Sequence, residues 1–409
     1  MSDSAVLPPS LTVQTVALDQ VGPLIPLLDR RDPLLFIRRG QGIAGIGEAV
    51  RLEFTGPTRM SDAAAAWREL VAAATITDDV NLPGTGLVAL GSFAFSEHSA
   101  ATSVLIVPSV IIGKRDGTAW ITRVNTDAAV PAATPFGPEY RISLLPGQMT
   151  PDAFLAAVDA AIAAIRDRAV SKVVIARDLL GHLPVGADLR LVLASLALGY
   201  PDCFTYAVNG LIGASPETLV RVDRGSVSAR VLAGSMARGA DAEADHDAAV
   251  TLATSTKDLD EHQYALASVM GALGPHSSHL AASDQPFTLK LPNLWHLASD
   301  VEGSLTDGST SLDLISALHP TAAVAGTPTL SALEIIGELE PFDRGRYAGP
   351  VGWVDGNGDG EWAVALRCAQ VDGEHVTAYA GAGIVAGSDP ARELAETVLK
   401  LRPIVEAFG

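Results

Sequence analysis

The segment TPDAFLAAVDAAIAAIRDRAVSKVVIA, residues 150–176, decides the fold class, because two different periodicities meet within it. Thr150 can offer an oxygen to a first helical turn, and Pro151 suits the first helical position, where no amide partner is needed. Phe154, Leu155, Val158, Ile162 and Ile165 then recur on one face, which predicts a helix to about Arg168. Lys172 to Ala176 follows as a short β-branched run and predicts a strand. A doubly wound sheet would need such pairs to alternate along the whole chain, and they do not. Leu82 to Ile121 reads as apolar runs broken by Gly, Pro, Ser and Asp, hence strands and turns. Tyr347 to Asp355, Trp362 to Val371 and His375 to Tyr379 also read as strands, while Ser61 can cap an alanine-rich helix to about Ala74. With no internal repeat or long linker, the expectation is α+β, a single unit over residues 1–409, with residues 1–10 disordered.

Composition narrows the function classes. Of 409 residues 48% are apolar and 18% charged, which describes a folded globule. Cys203 and Cys368 form no CxxC pair, so neither a disulfide framework nor a zinc site is implied, and a reducing cytoplasm is the simplest location. Met1 to Ser10 has no basic n-region, and no apolar stretch approaches the ~20 residues of a membrane span. The formal charge of −19 argues against nucleic acid and anionic lipid as partners. An anionic small substrate would need a local cation from a metal, Lys or Arg.

Several constellations can carry chemistry. Asp258 and Glu261 fall three apart on a helical segment from Lys257 to Leu273, with Leu259, Tyr264, Ala265 and Leu266 available for packing. Asp389 and Pro390 open a last helix on which Glu393, Glu396 and Lys400 form one stripe. Such acids make either a solvated face, with a Glu396–Lys400 pair worth roughly a few tenths of a kcal/mol, or a site for a hard cation such as Mg²⁺. Lys172, beside Val173 to Ile175, is either a strand-edge lysine or a partly desolvated base paired with the segment Gly213 to Glu217. Arg367, in an otherwise apolar strand, needs an anionic partner. His296, within Leu294 to Ala298, is a core or a site histidine, and Leu232-Ala233-Gly234-Ser235 reads as a turn. Asp355-x-Asn357-x-Asp359-Gly360 opens like a calcium loop, but Leu366 occupies the twelfth position, so a Gly-rich hairpin is expected. Gly381-Ala382-Gly383 with Ala386 imitates a dinucleotide fingerprint without the following βαβ context.

In chain order, Lys172 to Arg177, Gly213 to Glu217, Leu232 to Ser235, Glu261-His262, Leu294 to Ala298, Leu318 to Thr321, Glu338 to Arg344, Gly360 to Trp362 through Arg367-Cys368, Ala380 to Val385 and Glu393 to Lys400 resemble the chorismate-utilising family. That family includes isochorismate, salicylate, anthranilate and aminodeoxychorismate synthases. The resemblance spans about residues 151–409 and implies two β-sheets stacked around the active site with helices outside. It implies Glu261 and Glu396 as direct Mg²⁺ ligands, with Asp258 and Glu393 near the metal through water. Substrate binding is implied for Gly234, Ser235, His296, Ala298, Tyr347, Arg367, Tyr379, Gly381, Ala382, Gly383 and Lys400. Lys172 would be the general base for water attack at C2 of chorismate, and Glu217 the general acid for the departing C4 hydroxyl.

Within that resemblance, a lysine nucleophile of aminodeoxychorismate synthases would stand at Ala233, and the glutamine of anthranilate synthases at Tyr379. Lys172 itself is similar to the water-using members. Isochorismate synthase is therefore the expected activity, without an obligatory glutaminase partner, and its product would serve menaquinone, siderophore or salicylate synthesis. Salicylate synthase, which further eliminates pyruvate, is the alternative, followed by an aminating relative and an inactive binding homologue.

Overall fold

The computed structural model describes residues 10–409. The expected disorder at residues 1–10 falls, Ser10 apart, outside the described residues. The opening segment forms as its periodicities require. Thr150 accepts a hydrogen bond from the Ala153 amide, and the helix Pro151–Arg166 buries Phe154, Val158, Ile162 and Ile165. The strand that follows runs from Lys172 to His182.

Among the described residues eight α-helices surround the sheets: α1 (Arg59–Ala73), α2 (Pro151–Arg166), α3 (Arg190–Gly199), α4 (Ala242–Thr254), α5 (Thr256–Leu273), α6 (Ser311–Leu318), α7 (Thr329–Leu339) and α8 (Pro390–Phe408). None is long and apolar enough to cross a membrane. The first starts earlier than Ser61 predicted. Thr58 precedes it and donates to Asp62, while the Arg59 side chain is tied to the Ala94 and Phe95 carbonyls, each at 3.1 Å. Ser61 instead donates back to the Thr58 carbonyl.

The strands form a 13-stranded and a 10-stranded sheet. The pairing is antiparallel except where Thr12–Leu18 meets Thr75–Asp78, which is why regular helix–strand alternation was missing from the sequence. Both halves of the chain build both sheets. Phe204–Val208 pairs with Leu34–Arg38 in the larger, and Pro350–Asp355 with Val88–Ser92 in the smaller. Phe36 stacks on Phe204 with ring centroids 5.0 Å apart, and Phe93 packs against Trp362 at 5.7 Å. Each such buried aromatic contributes roughly 2–3 kcal/mol of apolar burial.

Two segments depart from the sequence reading because the chain changes layer. Trp362 to Val371 is two strands: Gly360–Val364 lies in the smaller sheet and Cys368–Asp372 in the larger. Between them Ala365-Leu366-Arg367 crosses over, with Arg367 at φ 50°. Apart from Arg367 and Gln370 the run is apolar because it is buried in both sheets, so hydropathy alone did not reveal the break. Leu232 to Ser235 is a β-bulge rather than a turn. Within the strand Ser226–Ala237, Leu232 faces Ala298 and Ser235 faces His296, so one strand advances by three residues while its partner advances by two. The hairpin at Gly356 to Gly360 forms as expected, with the Asp355 carboxylate accepting from the Gly84, Asn357 and Asp359 amides.

Candidate active site

The strand Lys172–His182 pairs with His375–Ile384, setting Val174 opposite Gly383 and Ala176 opposite Gly381. Lys172 shares a strand face with Val174 and has no exposed surface. Its ammonium lies 3.2 Å from Glu261 Oε1 on α5. Glycine at 383 permits this approach, since a Cβ there would sit 2.1 Å from that oxygen and 3.0 Å from Lys172 Cε. The strand His375–Ile384 extends beyond the predicted Tyr379, so the Gly381–Gly383 run is a smooth β-floor and not a phosphate loop.

Above this floor is a narrow cleft between the sheets, with a cavity volume of about 50 Å³. Lining it are Glu217, Gly234, Ser235, His296, Tyr347, Arg367, Tyr379, Gly381, Gly383, Lys400 and Glu261. Ala298 and Ala382 do not line it: the first is paired to Leu232 and Phe287, the second to Ile175. Leu366, Ala323 and Val324 also line it and escaped the sequence reading, since apolar residues in loops carry no periodic signal.

Glu217 follows the strand Leu211–Ser215 and is 4% exposed. Burial pushes its carboxyl up to about 7, against the pull of Lys172 and Arg367. An acid so placed keeps its proton near neutrality.

Arg367 is 7% exposed, and among the described residues no carboxylate lies within 4 Å of it. Its Nη2 donates to His296 Nε2 at 2.8 Å. That contact assigns the imidazole proton to Nδ1, which lies 3.2 Å from the Gly234 carbonyl and 3.0 Å from Ser235 Oγ. Burial, then Arg367, holds the His296 pKa well below its usual value, so the ring is neutral and orients the guanidinium. His262 does similar work at the bulge. It stands 3.2 Å from the Ala233 carbonyl and 2.8 Å from Ser299 Oγ. Tyr347 and Tyr379 stack at 5.2 Å to form one wall.

The predicted metal ligands gather where α5 meets α8. Asp389 caps α8 by accepting from the Arg392 amide, which starts the turn carrying Glu393 and Glu396. Lys257 donates to Glu393 at 2.7 Å, and Lys400 reaches Glu396 at 2.5 Å and the Gly381 carbonyl at 2.9 Å. Asp258 bonds the Ser255 hydroxyl. The Glu396–Lys400 pair therefore exists, but half-buried at the cleft and not on a solvated face. Tyr264, by contrast, is 36% exposed and does not pack inward.

Burial, and then neighbouring carboxylates, raises both Asp258 and Glu393. Burial opposes ionisation of Glu261 too, but Lys172, Lys257 and Lys400 outweigh it and hold that carboxyl low. The donor set is therefore anionic, hard and crowded, which suits a divalent cation. Among the described residues no three His, Cys, Asp or Glu side chains converge as for a fully protein-ligated ion. Mg²⁺ needs only one or two carboxylates, with water and substrate oxygens completing the shell, and the acids on α5 and α8 are donors of that chemistry.

Comparison with known proteins gives the family. The profile of a family described as chorismate binding enzyme matches residues 31–409. Isochorismate synthase DhbC of Bacillus subtilis is 40% identical over 285 residues, covering 67% of this chain and 71% of the relative. Isochorismate synthase EntC of Escherichia coli is 38% identical over 245 residues, covering 59% and 63%. The solved structure of MenF, the menaquinone-specific isochorismate synthase of Escherichia coli, superposes with a TM-score of 0.79 over 98% of this chain and 96% of that one. At 23% identity the last comparison speaks for the fold alone.

Proposed function

The chain belongs to the chorismate-binding enzyme family, and within it we propose that it is an isochorismate synthase that uses Mg²⁺. The observation carrying this reading is the acid Glu217 in the cleft lining together with Lys172, which lies behind that lining, 3.2 Å from the lining residue Glu261. Glu217 is buried with its carboxyl pushed up to about 7, and Lys172 is fully buried beside the same floor.

Lys172 takes a proton from the water that attacks C2 of chorismate, and Glu217 gives one to the C4 hydroxyl, which leaves as water. One water enters and one departs while the double bonds shift, so the reaction is an isomerisation. Arg367, oriented by His296, binds a substrate carboxylate, which answers how a chain of charge −19 holds an anion. Tyr347 and Tyr379 pack against the ring. Glu261 and Glu396 would hold Mg²⁺ directly, with Asp258 and Glu393 acting through water. When bound, the ion supplies charge neutralisation at the ring carboxylate. Ala233 leaves no nucleophilic amine at the bulge, which favours water over covalent attack by the chain.

The test is to incubate pure protein with chorismate and Mg²⁺ and separate the products. Isochorismate is expected. Salicylate with pyruvate would replace the proposal by salicylate synthase, an ammonia-dependent product by an aminating activity, and absence of turnover by a binding role.

A further inference from the structure

The strand that carries Lys172 has an incomplete edge. On one side it pairs with His375–Ile384 over its whole length. On the other, Lys172 and Val173 pair with Thr327 and Gly326, and Leu179 and Leu180 pair with Pro146 and Leu145. Between these flanks, among the described residues, no strand covers residues 174–176, although their polar groups are buried and need partners.

One backbone bond and two side chains fill the gap. The Val174 amide donates to the Ala325 carbonyl at 2.8 Å, the Val174 carbonyl accepts from Arg344 Nη2 at 2.8 Å, and the Ala176 amide donates to Glu340 Oε1 at 2.7 Å. Glu340 and Arg344 are joined by two contacts, Nε to Oε2 at 2.8 Å and Nη2 to Oε1 at 2.6 Å. Arg344 Nη1 donates to the Val324 carbonyl at 2.8 Å. Its guanidinium lies over Phe95 at 4.4 Å and over Tyr347 at 5.9 Å. One ion pair, with partners 8% and 3% exposed, therefore touches the Lys172 strand, the Val324 wall and the tyrosine wall of the cleft.

We propose that Glu340 and Arg344 are positioning residues, a carboxylate–guanidinium pair standing in for a missing strand, which sets the Lys172 strand in register with the Val324 and Tyr347 walls. A structural pair of this burial could be replaced by apolar groups without loss of stability. A pair that aligns a proton-transferring group cannot be so replaced without loss of rate, because misplacement by about 1 Å costs on the order of 100-fold. Neither residue touches the cleft, so binding through Arg367 should persist.

This inference rests on the proposed reaction, and its test separates the two. Arg344→Lys, Glu340→Gln and the double variant Glu340→Gln/Arg344→Met are compared with the parent chain for kcat, KM, melting temperature and amide exchange at Val174 and Ala176. The single variants are expected to melt lower and to lose kcat about 10- to 100-fold, with KM changed less than about threefold. The double variant, with no charge left unpaired, is expected to regain melting temperature while kcat stays at least about 10-fold down and exchange at Ala176 stays fast. Recovery of kcat together with melting temperature would overturn the positioning role, as would unchanged exchange in all three variants. If the parent chain does not turn over chorismate, the proposed reaction falls, and the exchange of Val174 and Ala176 decides the alignment role by itself.

Discussion

At the scale of single residues the site is governed by desolvation. Glu217 titrates near 7 because burial costs its charged form more than Lys172 and Arg367 return. As general acid it must hold its proton, so kcat should fall as pH rises above about 7, and Glu217→Gln should abolish turnover. The same shift has a stability consequence of fixed sign. The unfolded carboxyl ionises near 4.5 and the folded one near 7, so folding is not penalised below about pH 4.5 and is fully penalised above about pH 7. Glu217→Gln should therefore match the parent chain near pH 4.5 and exceed it at pH 8, by on the order of 3 kcal/mol. Urea unfolding at the two pH values measures this, and an equal offset at both would remove the shifted carboxyl. Lys172→Ala should likewise stop turnover, and because it strips the buried Glu261 of its nearest cation it should also lower the melting temperature.

At the scale of elements, the cleft depends on how closely two strands and two helices approach. Gly383→Ala would put a Cβ 2.1 Å from Glu261 Oε1, which sits at the end of a flexible side chain and can move. The fold should survive with melting shifted by only a few degrees, while displacement of Glu261 from Lys172 lowers kcat by about 100-fold or more. A wild-type rate in this variant would show that the Lys172–Glu261 contact is not needed. The Asp389 cap of α8 holds the turn bearing Glu393 and Glu396, and Asp389→Ala should cost about 1 kcal/mol of stability. It should also raise the Mg²⁺ concentration needed for half-maximal rate. The elements legible in sequence were those whose buried positions keep one period: α2, α5, α8 and the Lys172 strand do so, and the acid pairs lay on the helices their spacing implied. The illegible features were those where the chain serves two partners. Gly360 to Asp372 feeds both sheets through Arg367, and the bulge at Gly234 looks in sequence like any Gly-containing turn. Glu340 and Arg344 flank Pro341 just past the end of α7, and nothing in their spacing tells of a strand edge distant in sequence.

At the scale of the whole molecule, charge works at two ranges that oppose one another. The chain carries −19 overall, yet the cleft is lined by Arg367 and Lys400, with Lys172 buried behind Glu261. Repulsion of an anionic substrate by the surface acts over distance and is screened by salt, with a Debye length of about 30 Å at 0.01 M and about 8 Å at 0.15 M. Attraction by the buried cations acts at contact, in a medium that salt barely enters. Raising ionic strength over that range, at saturating Mg²⁺, should therefore raise kcat/KM by lowering the cost of approach, with kcat unchanged. Arg367→Met separates the two ranges. It removes the contact attraction and should raise KM about 10-fold or more, yet the salt dependence should keep the same sign and nearly the same slope, because the surface charge is intact. A parent enzyme whose kcat/KM falls with salt would mean that the field of the cleft cations, and not the net charge, governs approach. In that case Arg367→Met should flatten the dependence, and the acidic surface would have no part in substrate capture.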